Sequence, residues 1–408
     1  MKGFLQIALG ILSAIGGFVD IGDLVFNTQA GATFGFQLLW VVVIGVFGIV
    51  VYSEMCGRVA AISQRPVFDL IRERVGFGAG FGTLIAAEVV NLMTCAAEVG
   101  GVAIVLQLLG GAPYRVLIVA GVVALMVITW TLPFEWIERL FGYFGLCLLV
   151  FAVAVIKLHP HWGSVAHGFV PSISSTNKLV FFYFAVGLLG AALTPYEVYF
   201  YSSGAVEDGW GVKDLRINKI TSIVGYGLGG FLSFSLMIVA AVVFLPRGID
   251  PQFLGTPAVG AMDAVGKYGL LLALVGMLFA VGGAAIETSF SGAYNLAQFF
   301  GWEWGKRRRP GGAPRFTIAW VVIFVLALGI VMTGYDPVKI TEYSVIFSVV
   351  ALPLTFLPIL LVANDAAYMG RHRNGRFSNV VGIAYFVVIL AVSLSAIPLM
   401  LLTHGGQG

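Results

Sequence analysis

The sequence contains eleven apolar stretches, each close to the length of about 20 residues that a helix needs to cross a bilayer. Only 11% of the 408 residues are charged and 59% are hydrophobic, whereas a soluble domain carries roughly 25% charged residues. We therefore predict an all-α polytopic membrane protein, with residues 1–408 forming one integral membrane domain. This composition excludes soluble enzymes and nucleic-acid binders. The predicted spans lie at about 3–33, 36–60, 78–109, 114–132, 140–158, 177–204, 218–245, 268–298, 316–334, 338–363 and 379–403.

The basic residues indicate how the chain is oriented in a cell membrane. Most of the 23 Lys and Arg residues fall in the connections on the same side as the N-terminus. The positive-inside rule therefore places the N-terminus in the cytoplasm and the C-terminus outside. The first stretch has no clear cleavage site before Asp20, so we interpret it as a retained helix. The basic run at 306–309 is interpreted as a membrane anchor, with lipid head-group contact as a secondary role.

Six carboxylates fall well inside the predicted spans. A carboxylate near the bilayer centre costs on the order of 3 kcal/mol or more and normally faces a cavity or a partner. Because the Lys, Arg and His residues are all predicted in loops or at the ends of spans, outside the membrane core, a proton or a mobile cation must balance these charges. Glu342 and Glu54 are further candidates, of which Glu54 is expected at the membrane interface. The six residues are Asp20, Asp23, Glu88, Glu98, Glu197 and Glu287.

Two of the predicted spans contain helix breakers beside a carboxylate. In the first span, Gly16 and Gly17 precede Asp20, and in the sixth span Pro195 precedes Glu197. Unwound backbone frees carbonyl oxygens that would otherwise be bonded within the helix, and these can coordinate a cation.

The positions of the two breaks predict an inverted repeat. The first and sixth spans open successive blocks of five spans, at about 1–158 and 177–363, and an additional eleventh span follows at about 379–403. An odd number of spans inverts the second block relative to the first. Breaks at corresponding places of inverted repeats are typical of a binding site near the bilayer midplane.

Motifs in four spans carry a family resemblance. The first and sixth spans contain Asp20-Ile21-Gly22-Asp23 and Thr194-Pro195-Tyr196-Glu197; the third contains Glu88, Cys95 and Glu98, and the eighth contains residues 285–289. With these motifs the chain resembles the Nramp divalent-metal transporters along nearly its whole length. That family carries Asp-Pro-Gly-Asn, Met-Pro-His, Glu…Asp-x-x-Glu and a Gln-Ser-Ser type segment there. The resemblance implies a leucine-transporter-like fold and a transporter that is neither an enzyme nor dependent on a resident cofactor.

The departures from the family pattern all change the metal chemistry in one direction. Thr194 replaces the family's methionine, Asp23 its asparagine and Tyr196 its histidine, and Glu197 follows directly. Sites made only of oxygen donors suit Mg²⁺, Ca²⁺ or Mn²⁺, and Mg²⁺ is usually held by one or two carboxylates with retained waters. The chain is therefore most similar to the prokaryotic Nramp-related magnesium transporters. The implied metal-binding residues are Asp20, Asp23, Thr194, Glu197, Glu287 and, through its carbonyl, Ala191.

The same resemblance speaks against proton coupling. Proton-coupled relatives carry an aspartate where this chain has Cys95, and the histidine replaced by Tyr196 is also tied to proton movement. Uncoupled uptake of partly hydrated Mg²⁺, with Mn²⁺ as a further substrate, is then expected. Two charges moving inward gain about 4.6 kcal/mol at 100 mV, so no co-transported ion is needed. Tyr196, Glu88 and Glu98 stay as candidates for a polar pathway.

Structural roles compete with these functional ones. Glu197 could cap the helix that follows it, and Thr194 could bond back to its own helix. Glu287 could be a hydrogen-bonded buried acid, and Tyr196, Glu88 and Glu98 could serve packing alone.

Three other functions compete with uncoupled metal uptake. The first is a proton-coupled Mn²⁺ or Fe²⁺ importer. The second is an amino-acid transporter on the same fold, although Asp20 and Asp23 would repel a substrate carboxylate. The third, an intramembrane aspartyl protease, lacks its Gly-x-Gly-Asp motif, and its Tyr-Asp motif occurs only at Tyr335-Asp336, in an outer loop.

Overall fold

The computed structural model describes residues 18–173 and 177–407. Within these residues, ten helices are long and apolar enough to cross a membrane. The predicted first span lies partly outside the described residues, including Gly16 and Gly17, and its described part is a 14-residue helix. The spans, numbered 1 to 11, are Ile21–Phe34, Leu39–Ser63, Phe77–Gly110, Tyr114–Thr131, Phe134–Leu158, Lys178–Glu207, Leu215–Val243, Lys267–Phe300, Pro314–Met332, Pro337–Asn364 and Arg376–Leu402.

The structure corrects one span boundary and adds short helices between spans. Span 5 begins at Phe134 instead of about 140, because Pro133 provides an extended N-cap directly before the helix. Short helices that the apolar pattern did not predict occur at Val67–Val75, Trp162–Gly168 and Thr256–Val265. They are too short to cross a bilayer, so the count of spans is unaffected.

The spans differ in how deeply they lie in the bundle. In span 6, 89% of the residues in its most apolar window are buried, against 22% in spans 4 and 11. Span 6 therefore lies at the centre and spans 4 and 11 at the periphery. Span 3 packs extensively against spans 8 and 10, and span 1 packs against span 7. The two interrupted helices are thus enclosed by other helices, where irregular backbone is tolerated in a membrane.

The connections that the sequence assigns to the cytoplasm meet at one end of the bundle. Arg74 pairs with Asp365 at 2.7 Å, which joins the connection before span 3 to the one after span 10. Arg307 pairs with Asp208 at 2.8 Å, which joins the connections after spans 8 and 6. Four of the connections that carry most of the basic residues are therefore joined in pairs by ion pairs at this end.

Lys306 departs from the expected surface anchor because its side chain is only 5% exposed. Its Nζ lies 3.0 Å from Glu138 Oε1 and 4.3 Å from the ring centre of Phe134. Burial opposes the charged form, but the carboxylate of Glu138, with those of Asp208 and Glu207, outweighs it and raises the pKa of Lys306. The ammonium group therefore stays charged at neutral pH, and the run 306–309 is divided between a buried residue and exposed arginines.

Glu342 lies at the opposite end of the bundle, beside a cavity of about 740 Å³. Lys339 Nζ lies 2.8 Å from Glu342 Oε2, and Gln29 Nε2 donates to Oε1 at 3.2 Å. The expectation that no basic partner is available is therefore wrong for Glu342, because Lys339 lies one turn away on span 10. Glu54 also has a basic partner, Arg58, at 3.0 Å, consistent with a structural role.

Span 1 approaches span 7 closely because of a glycine. A Cβ atom added at Gly31 would collide with the carbonyl oxygen of Met237 and lie 2.9 Å from the Cβ of Ala240. The absence of a side chain at Gly31 therefore sets the distance between the two helices.

Gly31→Ala is expected to lower the free energy of unfolding by about 1–3 kcal/mol, because the added methyl group forces the two helices apart. The thermal unfolding midpoint of the purified protein in detergent measures this loss. Gly227→Ala on span 7 is the matched control, since an added Cβ there meets nothing within 4 Å. Equal losses in the two variants would contradict the role assigned to Gly31.

Candidate metal site

The break in the first span is organised by Asp20, which is the N-cap of the helix Ile21–Phe34. Its backbone is extended, with φ −88° and ψ −177°, and its Oδ1 accepts a hydrogen bond from the Asp23 backbone N–H at 2.9 Å. The carboxylate thus satisfies one of the free N–H groups of the first helical turn. Its other oxygen, Oδ2, is left to face the second break.

The break in the sixth span follows from Pro195, which cannot donate a backbone hydrogen bond. The preceding helix ends at Ala192, Thr194 is extended, and Pro195 is the first residue of the next helix. The carbonyl of Ala191 belongs to the last turn of the preceding helix, where carbonyls lack partners within the helix. Thr194 Oγ1 donates to Glu197 Oε2 at 2.9 Å, so its hydroxyl points to the carboxylate and does not bond back to its own helix.

The two breaks meet. The hydroxyl of Tyr196 donates to Asp20 Oδ2 at 3.3 Å, which links the sixth span directly to the first. Gly22 allows span 1 to lie close to span 10, because a Cβ added there would lie only 2.9 Å from a methyl group of Val345.

Glu287 joins this cluster from span 8. The carboxylates of Glu287 and Glu197 lie close enough to interact electrostatically, and both act on the hydroxyl of Tyr196. Asp20, Asp23, Glu197 and Glu287 are between 1% and 8% exposed. The structure therefore buries all four predicted carboxylates near the two breaks, but no three of the described His, Cys, Asp or Glu side chains lie close enough to hold one ion in this conformation.

Asp23 differs from Asp20 because its carboxylate is held by side chains. Ser233 Oγ, on span 7, lies 2.8 Å from both Oδ1 and Oδ2, and Asn27 Nδ2 donates to Oδ1 at 2.7 Å. The donors fix the orientation of the carboxylate while it stays within electrostatic reach of Glu197. Neither Ser233 nor Asn27 was predicted from the sequence as a partner of Asp23. Asn27 could have been found, since residues four apart share a helix face, but nothing local pairs Ser233 with Asp23.

Glu98 lies beside the cluster and supports the first break. Its Oε1 accepts a hydrogen bond from the backbone N–H of Ile21 at 3.1 Å, and its Oε2 is buried without a hydrogen-bond partner among the described residues. The carboxylates of Glu98 and Asp20 lie close enough to repel each other when both are charged. Glu98, on span 3, therefore caps the start of the helix Ile21–Phe34, which is a structural role. Its second oxygen stays buried without a partner among the described residues, so a place in a polar pathway is still a prediction.

Glu88 lies ten residues nearer the basic end of span 3, about 15 Å from Glu98 by the helical rise. It faces span 8, where a Cβ added at Gly292 would lie 2.8 Å from Glu88 Oε2. Its Oε1 and the side-chain amides of Asn91 and Asn295 are buried without hydrogen-bond partners among the described residues. Such groups in a membrane interior are costly unless water or an ion reaches them.

Span 8 connects the cluster to this region through a row of polar side chains. Ser291 Oγ donates to the carbonyl of Tyr196 at 3.0 Å, and Gln298 Nε2 donates to Ser203 Oγ at 2.8 Å. The spacing of three to four residues places the row on one face of the helix. Its members are Glu287, Ser291, Asn295 and Gln298.

No ion pair among the described residues includes Asp20, Asp23, Glu98 or Glu197. The four carboxylates are therefore surrounded by hydroxyl and backbone groups, and no described basic side chain balances their charge. Such an arrangement is costly in a membrane unless protons or cations compensate it.

Comparison with known proteins places the chain in a family. The family model described as natural resistance-associated macrophage protein-like, Nramp, matches residues 10–398. The chain belongs to the Nramp family. Curated relatives include the divalent metal cation transporter MntH of Deinococcus radiodurans, 26% identical over 92% of this chain and 86% of its own length. The transporter of the same name from Mycobacterium tuberculosis is 27% identical over 95% of this chain and 90% of its own length.

Solved structures show the same architecture for this Nramp protein. A manganese transporter of Eremococcus coleocola superposes with a TM-score of 0.79 at 21% identity, covering 97% of this chain and 86% of that chain. A nucleobase-cation-symport-1 family transporter gives a TM-score of 0.58 at 16% identity, and the match covers 96% of this chain and 91% of that chain. The predicted leucine-transporter-like helical fold is confirmed, as is the prediction of a transporter and not an enzyme.

Ser233→Ala is expected to lower the free energy of unfolding of this Nramp protein by about 1–3 kcal/mol, because a buried carboxylate loses a donor that contacts both of its oxygens. The thermal unfolding midpoint at metal-free conditions measures the loss. Ser235→Ala is the matched control on the same span, since that hydroxyl bonds the carbonyl of Phe231 within its own helix. A loss as large in the control as in Ser233→Ala would contradict the assigned role.

Proposed function

We propose that this Nramp protein carries divalent metal cations by alternating access, and that its main substrate is partly hydrated Mg²⁺ taken up across the cell membrane. One observation carries the proposal: Asp20, Asp23 and Glu197 are each buried beside the two helix breaks, which the Tyr196–Asp20 hydrogen bond links, and none of them forms an ion pair with a described basic residue. A divalent cation would neutralise two of these charges at once.

The donor set favours Mg²⁺ over softer metals. The contacts at the breaks involve carboxylates and the hydroxyls of Thr194, Tyr196 and Ser233, and Ala191 lies in the last turn of the helix before the second break. Hard oxygen donors suit Mg²⁺ and Mn²⁺, whereas thioether and imidazole groups favour later transition metals. Because Mg²⁺ keeps several of its waters, a site with few carboxylates and several hydroxyl groups fits it.

Uncoupled transport is supported by the surroundings of two residues. Cys95, at the position of the family's aspartate, is fully buried, with its Sγ 3.9 Å from the carbonyl of Ala285 on span 8. Tyr196 presents a phenol where the family has histidine, and a phenol has an ordinary pKa of about 10, far from neutrality. Neither side chain provides a proton carrier that titrates near neutral pH, and the membrane potential alone favours inward movement of a divalent cation.

The row of polar residues on span 8 supplies an inner pathway from the site to the basic end of the molecule. It passes Tyr196 and continues beside Glu88 to Gln298. With the N-terminus in the cytoplasm and the C-terminus outside, as the basic residues indicate, this end faces the cytoplasm. An amino-acid substrate is disfavoured because its carboxylate would meet Asp20 and Asp23.

Asp20→Asn and Glu197→Gln are each expected to reduce Mg²⁺ uptake into proteoliposomes by at least about tenfold, because each removes a negative charge from the site. A fluorescent indicator trapped inside the vesicles measures the uptake rate. Asp263→Asn is the control, since Asp263 lies in the short helix after span 7 and pairs with Arg247. Uptake unchanged in both site variants would contradict the proposed site.

The same vesicles test proton coupling. A pH indicator inside them should show no acidification during Mg²⁺ uptake, and an inside-negative potential should accelerate uptake. Mn²⁺ uptake with strict acidification and no Mg²⁺ uptake would overturn the proposal in favour of a proton-coupled Mn²⁺ importer.

Thr194→Met is expected to shift selectivity toward softer metals, because it adds a thioether at the break and removes the hydroxyl that donates to Glu197. The ratio of Cd²⁺ to Mg²⁺ uptake should rise by at least about tenfold, the change expected for a lost ligand-supporting group. Thr194→Val, which removes the hydroxyl without adding sulfur, separates the two effects and should lower Mg²⁺ uptake without raising Cd²⁺ uptake. An unchanged ratio in Thr194→Met would show that this position does not face the ion.

A further inference from the structure

A cleft of about 460 Å³ opens between spans 4, 5, 8 and 9 at the basic end of the bundle, away from the metal site. One wall is the connection 305–310, and the other consists of the end of span 4 and the start of span 5. Span 4 is among the least buried spans, so the cleft lies at the edge of the bundle where lipid head groups would be.

The polar wall of the cleft carries four consecutive basic residues, Lys306 to Arg309, of which one has no ion-pair partner among the described residues. Arg307 is balanced by Glu135 at 3.3 Å and Asp208 at 2.8 Å, and Arg308 pairs with the exposed carboxylate of Glu303. Arg309 is exposed and forms no ion pair with any described residue. The guanidinium group of Arg309 is therefore available to an anion. That of Arg308 is held only by an exposed ion pair, which contributes little to stability.

The opposite wall is aromatic and apolar. Trp130 is 53% exposed and contacts Trp320 edge-to-face with ring centres 6.1 Å apart. Phe316 stacks on Phe290 at 5.6 Å at the bottom of the cleft. Exposed tryptophan is typical of the membrane–water interface, where one side of the ring meets hydrocarbon and the other meets water.

We propose that this cleft binds an anionic phospholipid, with the phosphate at Arg308 and Arg309 and an acyl chain along the exposed ring of Trp130. The charge of the polar wall selects an anionic head group, and the aromatic wall accounts for the hydrocarbon chain. Basic pockets between transmembrane helices on the cytoplasmic side are suited to such lipids, since that leaflet is negatively charged. A soluble phosphate compound would use only one of the two walls.

The cleft also lies against the buried ion pair of Lys306 and Glu138. Lys306 contacts the rings of Phe134 on span 5 and Phe200 on the second half of span 6, at 4.3 Å and 5.3 Å from their centres. A lipid bound beside this residue would hold spans 5 and 6 together at this end. We therefore expect the lipid to raise the thermal unfolding midpoint as well as to bind.

The proposal is tested with purified full-length protein in detergent. Native mass spectrometry counts retained phosphatidylglycerol and phosphatidylcholine, and thermal unfolding is measured with each lipid and with inorganic phosphate. Wild type should retain phosphatidylglycerol preferentially and be stabilised by it. The double variant Arg308→Gln/Arg309→Gln should bind it about 25-fold more weakly, given about fivefold for each charge. Lys213→Gln/Arg216→Gln is the matched control, because it removes two exposed charges at the same end of the bundle.

A second variant tests the aromatic wall. Trp130→Ala should weaken phosphatidylglycerol binding while any effect of inorganic phosphate stays the same. Unfolding midpoints without lipid show whether each variant is folded. Equal retention of the two lipids, an equal loss in the Lys213/Arg216 control, or full stabilisation by inorganic phosphate alone would each overturn the proposal.

Discussion

The central physical constraint on this molecule is negative charge enclosed in an apolar helical bundle. Asp20, Asp23, Glu98 and Glu197 are almost fully buried, and none of them forms an ion pair with a described basic residue. Replacing such charges by apolar side chains would make the bundle easier to fold, since burial of an unpaired carboxylate is among the most costly events in a membrane. Their presence in a member of the Nramp family is what the proposed cation site would require, since a bound cation would compensate part of this charge.

The broken helices show how the fold accommodates these charges. Asp20 uses one oxygen to cap its own helix, Glu98 reaches the same helix end from span 3, and Thr194 binds Glu197 across the second break. Glu98 and Glu197 thus each have one oxygen in a hydrogen bond and one buried oxygen without a partner among the described residues, whereas both oxygens of Asp20 accept hydrogen bonds. These hydrogen bonds hold the carboxylates in fixed orientations, which is the preorganisation that a binding site requires.

The sequence predicted the number and type of the helices well, because bilayer thickness imposes a length that apolar stretches reveal directly. It also predicted that Asp20, Thr194 and Glu197 lie at helix breaks, because Pro195 and the neighbouring carboxylates are local signals. What it did not predict depends on contacts between distant residues. The partnership of Asp23 with Ser233 spans 210 positions, and the burial of Lys306 depends on Glu138 and two aromatic rings from other spans. The start of span 5 was placed six residues late because Glu135, Glu138 and Arg139 lower the local hydropathy.

The hydrogen bond from Ile21 to Glu98 has a mechanical consequence. It is the point where the interrupted first span is fastened to span 3, one of the longest helices of the bundle. Because Ile21 is the first residue of its helix, this bond fixes where the helix begins relative to span 3. The position of Asp20, which caps the same turn through the backbone N–H of Asp23, is thereby tied to a helix of 34 residues that crosses the whole bundle.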